Sequence, residues 1–89
     1  MEIEKLIINY INNQDDQIVL DDITNYDDKK IEIILTWNRN MISISILLDF
    51  TYDIFVVEFE SENMVMCKTK KCNCVGDVIH ELNEDFEKI

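Results

Sequence analysis

Hydrophobic and polar positions along this chain follow two different periods, and the period changes twice. At the start, Ile3, Leu6, Ile7, Tyr10 and Ile11 recur at i, i+3, i+4, i+7 and i+8. That spacing puts them on one face of an amphipathic helix. The turn-prone run NNQDD, Asn12 to Asp16, ends it. QIVLDDI, Gln17 to Ile23, reads as a short strand with poor alternation, and TNYDDKK as a loop. Period 2 then takes over. Ile31, Ile33, Leu35 and Trp37 share one face; after the turn NRN, so do Ile42, Ile44, Ile46 and Leu48. DFTYD reads as a second turn. In IFVVEFE, Phe55, Val57 and Phe59 are assigned to the core face, against Ile54, Val56, Glu58 and Glu60. SEN, Ser61 to Asn63, makes the last hairpin, and MVMCKTK returns as a strand. The helical period resumes in Val75, Val78, Ile79, Leu82, Phe86 and Ile89, with Asp77, His80, Glu81, Glu84 and Glu87 on the opposite side.

Short polar links between alternating runs predict an antiparallel meander. The expected fold is therefore α+β: an N-terminal helix, a four- to five-stranded antiparallel meander and a C-terminal helix. It should form a two-layer sandwich with both helices on the Ile31/Ile44/Phe55 face. A chain of 89 residues makes one domain, 1–89. The other sheet face should carry Glu32, Ile34, Thr36, Ser43, Ser45, Leu47, Ile54, Val56, Glu58 and Glu60. Its apolar members form a strip rimmed by acids, which reads as a half-solvated surface or as an interface, for a second copy or for another protein.

Charge narrows the partners. The formal net charge is −11. Residues 1–62 hold fourteen acids and four bases, residues 63–76 three bases and no acid, and residues 77–89 five acids and one base. Such a charge repels nucleic acid and anionic membranes and attracts basic surfaces. No apolar run reaches the roughly 18 residues of a membrane span, and MEIEK carries acids where a signal peptide carries bases. A soluble cytoplasmic protein of a bacterial host cell is expected. With no proline, no alanine, fifteen isoleucines and nine asparagines, the codon usage points to an AT-rich bacterium, phage or mobile element.

All three cysteines lie in CKTKKCNC, Cys67 to Cys74. Cys67, Cys72, Cys74 and His80 have zinc-ligand chemistry, but the spacing C-x4-C-x-C-x5-H lacks a C-x2-C pair, and the helical wheel turns His80 toward water. Lys68, Lys70 and Lys71 would favour a reactive thiolate. Cys67 shares strand parity with Val65 and reads equally as core filler. The plainer reading is a strand end and turn with free thiols and no cofactor. One histidine, one glycine and no legible nucleophile–base pair argue against an enzyme.

The acids carry the functional reading. Doublets Asp15-Asp16, Asp21-Asp22 and Asp27-Asp28 recur through the early segments, and Glu58, Glu60 and Glu62 follow at period 2. They read as a solvated surface, or as carboxylates that stand in for nucleic-acid phosphates in a basic groove; no D-x-D-x-D-G loop marks them for calcium. The opening MEIEKLIINYINNQDDQIVLDD, about a quarter of the chain, resembles the first helix and strand of small acidic anti-CRISPR proteins, phage-encoded inhibitors of bacterial defence. The cysteine stretch and long meander depart from that pattern. The resemblance implies a mode of action, the blocking of a nucleic-acid channel with carboxylates, and no residue-level roles. The expected function is a non-enzymatic inhibitor of a basic nucleic-acid-binding effector or nuclease. Asp15, Asp16, Asp21, Asp22, Asp27, Asp28, Glu58, Glu60 and Glu62 would contact the partner, and Tyr26, Tyr52 or the apolar strip would anchor it. An immunity protein neutralising a cognate toxin, a homodimeric module and a cysteine-based metal or thiol module are the alternatives.

Overall fold

The computed structural model describes residues 2–89. Its elements are α1 (Glu2–Asn12), β1 (Val19–Tyr26), β2 (Lys30–Trp37), β3 (Asn40–Leu47), β4 (Thr51–Glu58), β5 (Met64–Lys71) and α2 (Val75–Lys88). The strands form one antiparallel sheet in the order β1-β2-β3-β4-β5, the helix–meander–helix architecture expected. Strand alternation builds the core. Ile31, Ile33 and Leu35 of β2 pair with Ile46, Ile44 and Ile42 of β3, and all six are fully buried. Ile3, Ile7 and Ile11 of α1 and Val78, Leu82 and Phe86 of α2 join them in one hydrophobic cluster. The helices also touch each other, where the Tyr10 hydroxyl donates to Asn83 Oδ1 at 3.1 Å. Trp37 packs its ring 5.6 Å from that of Phe86.

Four expectations need correcting. First, β1 extends through Thr24–Tyr26 rather than ending in a loop, and β4 begins at Thr51 inside the expected turn. Second, the phase of β4 is reversed. Tyr52, Ile54 and Val56 are buried, and Phe55 is 39% exposed. The run Ile54-Phe55-Val56-Val57 is apolar at both parities, so alternation alone could not choose its face; pairing with β3 does, by setting Ile54 opposite Ile44 and Phe55 opposite Ser43. Third, Leu48 lies in the β3–β4 turn and is exposed. Fourth, Cys67 sits opposite Phe55, exposed, whereas Cys72 is the buried thiol.

Both outer strands carry an extra residue. Leu20 and Asp22 of β1 pair with the adjacent residues Leu35 and Ile34, leaving Asp21 as the bulge. On β5, Met66 and Met64 pair with Val56 and Val57, leaving Val65. The β2–β3 turn holds Asn38 and Arg39 at φ 51 and 66, the left-handed pair that a two-residue hairpin of matching twist requires.

Candidate functional site

Two regions gather chemistry. The first ties α2 to β5 on the helix side of the sheet. Lys68 pairs across from Ile54, and Lys70 from Tyr52, so both lysines project toward α2. Lys68 Nζ lies 2.7 Å from Glu81 Oε2 and 3.0 Å from Asp85 Oδ1, and Lys70 Nζ lies 2.8 Å from Glu81 Oε1. The Tyr52 hydroxyl donates to Asp85 Oδ2 at 2.9 Å. Glu81 and Asp85 are buried, which corrects the placement of Glu81 on the water side of the helix. The hydrogen bonds from Lys68 and Lys70 hold the Glu81 carboxyl at about 2. Burial, the Asp85 charge and the hydrogen bond to Asp85 push the Tyr52 phenol far up. Burial would lower the Lys68 ammonium, but its bonds to Glu81 and Asp85 outweigh that and raise it. Among the described residues, no buried side-chain nitrogen or oxygen lacks a hydrogen-bond partner, and this network ties α2 to β5. Tyr52 is fully buried and cannot serve as a partner anchor.

Lys68 and Lys70 are engaged by α2, and the lowering that Lys70 exerts on the Cys72 thiol is outweighed. Burial, together with the charges of Glu81 and Asp77, raises Cys72 above its ordinary range. Cys67 faces the opposite side of the sheet, and Cys74 is the exposed residue preceding α2. His80 pairs with Glu84 at 3.1 Å. Among the described residues, no group of three or more His, Cys, Asp or Glu side chains is placed to hold a metal ion. A groove of about 390 Å³ at the β5–α2 junction is lined by Lys70, Lys71, Asp77, His80, Glu81 and Glu84, among others. Lys70 pairs with Glu81 and His80 with Glu84 in its wall, and its lining is mainly polar, unlike the largely apolar lining of ligand pockets.

The second region is the sheet face away from the helices. Four cross-strand rows can be read from the register. At the end bearing the β2–β3 and β4–β5 turns, Thr36, Met41, Val57 and Met64 lie side by side, with Val19 beyond Thr36 on β1. The next row is Asp22, Ile34, Ser43, Phe55 and Cys67; then Thr24, Glu32, Ser45, Asp53 and Thr69. The last holds Tyr26, Lys30 and Leu47 on β1–β3, with Thr51 and Lys71 on β4 and β5. The first two rows make an apolar stripe running across the strands. Val19, Phe55 and Met64 are 53%, 39% and 60% exposed, and Ile34, Met41 and Val57 are half-buried.

The expected partner contacts divide around this stripe. Asp21 and Asp22 stand at its β1 end, where Asp21 accepts from the Thr36 hydroxyl and Asp22 from Thr24 at 3.4 Å. Glu60 and Glu62 are exposed in the β4–β5 turn at the same end of the sheet, which is tied to the β2–β3 turn by the Phe59 amide donating to the Arg39 carbonyl at 2.9 Å. Glu58, Glu60 and Glu62 are not one strand face: β4 ends at Glu58, which keeps the parity of Ile54 and Val56, and Glu62 adopts φ 57. Asp15 is occupied locally, accepting from the Gln17 amide at 2.9 Å and the Trp37 indole at 3.1 Å. These two bonds hold its carboxyl below the usual range. Asp16 is exposed beside it. Asp27 and Asp28 lie in the β1–β2 turn at the opposite end of the sheet, and Asp28 is held by Asn25. Glu32, which strand parity places on this face from the sequence, and Asp53, expected in a turn, border the stripe along one side. Asp53 shares the parity of Phe55, so the sequence could place it here only once the phase of β4 was known.

No protein-family profile matches this chain, no curated protein matches it, and no solved structure matches it. No helix among the described residues is long and apolar enough to cross a membrane.

Proposed function

We propose that this protein is a non-enzymatic inhibitor that docks on the basic, nucleic-acid-handling surface of another protein, with the open sheet face as its contact surface. The observation that carries the reading is the apolar stripe of Ile34, Met41, Phe55, Val57 and Met64, left uncovered by both helices and bordered by Asp21, Asp22, Glu32, Asp53, Glu60 and Glu62. A desolvated apolar centre supplies affinity, and a charged rim supplies orientation and speed of association. At a net charge of −11, two copies repel each other at long range. A basic surface is the complementary occupant.

The test is reconstitution. A protein captured by the immobilised chain is identified, purified and titrated against it at low and high salt. Exposed ion pairs are screened as the Debye length falls from about 10 Å at 0.1 M to about 3 Å at 1 M salt. The reading expects a basic partner, affinity that falls steeply with salt, and loss of binding with Phe55→Asp. Affinity independent of salt, or a Phe55→Asp variant that binds as well as the parent, refutes it. A stable homodimer of the free protein at micromolar concentration, broken by Phe55→Asp, assigns the face to self-association instead.

A further inference from the structure

The shape of the stripe says more about its occupant than its charge does. We infer that the open face receives a basic amphipathic α-helix of the partner, laid across the strands. This rests on the docking proposed above and names the element that docks.

The two apolar rows run perpendicular to the strands, from Val19 on β1 to Met64 on β5 and from Ile34 on β2 through Phe55 on β4. Five strands at 4.7–4.9 Å spacing span about 19 Å. An α-helix covers that distance in about 13 residues, at 1.5 Å each. Adjacent rows on one face are two residues apart, about 7 Å. The apolar stripe of an amphipathic helix, at least 100° of a cylinder about 10 Å across, has a similar width. An extended strand would have to lie along the β-strand direction to use their alternation, and in that direction the apolar surface ends after two rows, at Glu32, Ser45 and Asp53.

Charge fixes the flanks. Along one long side the stripe is bordered by Glu32 and Asp53, and along the other by the turn acids Glu60 and Glu62, with Asp21 and Asp22 closing the β1 end. Lys30 and Lys71 stand two rows away from Ile34 and Phe55; Lys30 reaches back to one oxygen of Glu32 at 3.4 Å and the Thr69 hydroxyl donates to one oxygen of Asp53, which leaves each carboxylate a second oxygen for the helix. A helix with Arg or Lys on both sides of its apolar stripe meets carboxylates on both sides. Arg39, in the β2–β3 turn, is the base on that border among the described residues, so the segment of helix above it should carry a neutral or acidic residue.

The experiment uses the full chain and two synthetic 14-residue peptides of identical composition. One places leucines at i, i+3, i+4, i+7, i+8 and i+11 between arginine flanks; the other is a scrambled isomer with no stripe. Both are titrated calorimetrically at 150 mM salt, and the striped peptide's footprint is mapped by backbone NMR shifts. The striped peptide should bind about tenfold or more tightly than the isomer, become helical when bound, and shift resonances of Ile34, Met41, Phe55 and Val57. Phe55→Ser should reduce its affinity to that of the isomer, the loss typical of truncating a central anchor. Phe55 lies outside the buried cluster, so the variant should keep the fold, which its own backbone NMR spectrum checks. Asp53→Asn, on the border, should weaken binding about two- to threefold and flatten its salt dependence. Equal affinity for the two peptides, or a footprint on α2 or the β1–β2 turn, overturns the inference. If both peptides fail while the reconstituted basic partner still binds through Phe55, the helix assignment falls and the docking surface stands; if the partner also ignores Phe55, both fall.

Discussion

Replacing Lys68, which stands opposite Ile54 with its Nζ 6.0 Å from the Tyr52 ring centre, by methionine keeps an unbranched apolar stem and removes the charge. In the parent, Lys68 Nζ contacts both oxygens of Asp85, at 3.0 and 3.2 Å, and Glu81 Oε2 at 2.7 Å. After the change Glu81 still has Lys70 at 2.8 Å. Asp85, only 1% exposed, keeps the Tyr52 hydroxyl alone. Stranding one member of a buried pair costs about 3–5 kcal/mol. The Lys68 side chain is 29% exposed, so water reaches the vacated end of the carboxylate, and the expected loss falls to about 2–3 kcal/mol. Unfolding entropy near 2.1 cal/mol/K per residue turns that into a Tm lower by about 10–15 °C for a chain of this length. Urea denaturation followed by the single tryptophan, Trp37, measures the loss directly. Its pH dependence has a definite sign. The Glu81 carboxyl is depressed from 4.5 to about 2, first by the bond from Lys68 and then by that from Lys70. Its contribution is complete above about pH 4.5 and disappears as pH falls toward 2. With Lys68 gone the depression shrinks, so the gap between variant and parent should be widest above pH 4.5 and narrow on acidification. A loss below about 0.5 kcal/mol, or a gap that is constant between pH 7 and 3, would show that the network does not hold α2 as described. Lys70→Met, which leaves every contact of Asp85 in place, should cost less.

Alkylation of the folded protein should modify Cys67 and Cys74 quickly and Cys72 only on unfolding, because Cys72 is buried and its thiol is pushed up; mass spectrometry with and without urea counts the modified thiols. Gly76→Ala should stabilise the protein by about 0.5–1 kcal/mol, since the residue lies in the first turn of α2 and the added Cβ meets Cys74 Sγ at an ordinary 3.7 Å. A calorimetric Tm unchanged or lowered would count against that placement. Arg39→Gly should raise stability by about 0.5 kcal/mol, the relief of a left-handed arginine at φ 66 outweighing the extra freedom of glycine in the unfolded chain; equilibrium denaturation reads it.

The parts of this fold that were legible share one property: their alternation was unambiguous. β2 and β3 read cleanly because Ile31, Ile33, Leu35, Ile42, Ile44 and Ile46 alternate with Glu32, Ser43 and Ser45. β4 did not, because Thr51, Tyr52 and Asp53 have turn-forming neighbours and the next four residues are all apolar. Its face is set by partners on β3, a non-local fact. The same holds for the candidate site. Glu81 was assigned to water from a helical wheel, which sees only its own helix; two lysines arriving from β5 make its burial tolerable. A trace was present in the sequence, where a stretch with three bases and no acid directly precedes a helix with five acids. Glu58, Glu60 and Glu62 looked like one row because a period of two was carried past the point where the strand ended.

The bulges at Asp21 and Val65 lie on the first and last strands, the two borders through which a sheet can grow. A strand interrupted by an extra residue offers a neighbouring chain a broken series of amides and carbonyls, and its added twist turns that series away. Asp21 and Asp22 on one border and Lys71 on the other add charge to the same margins. A molecule that leaves Phe55, Val57 and Met64 uncovered would otherwise be a good seed for ribbon-like polymers. Closing the borders confines its exposed apolar surface to one face and keeps copies of the chain from joining edge to edge.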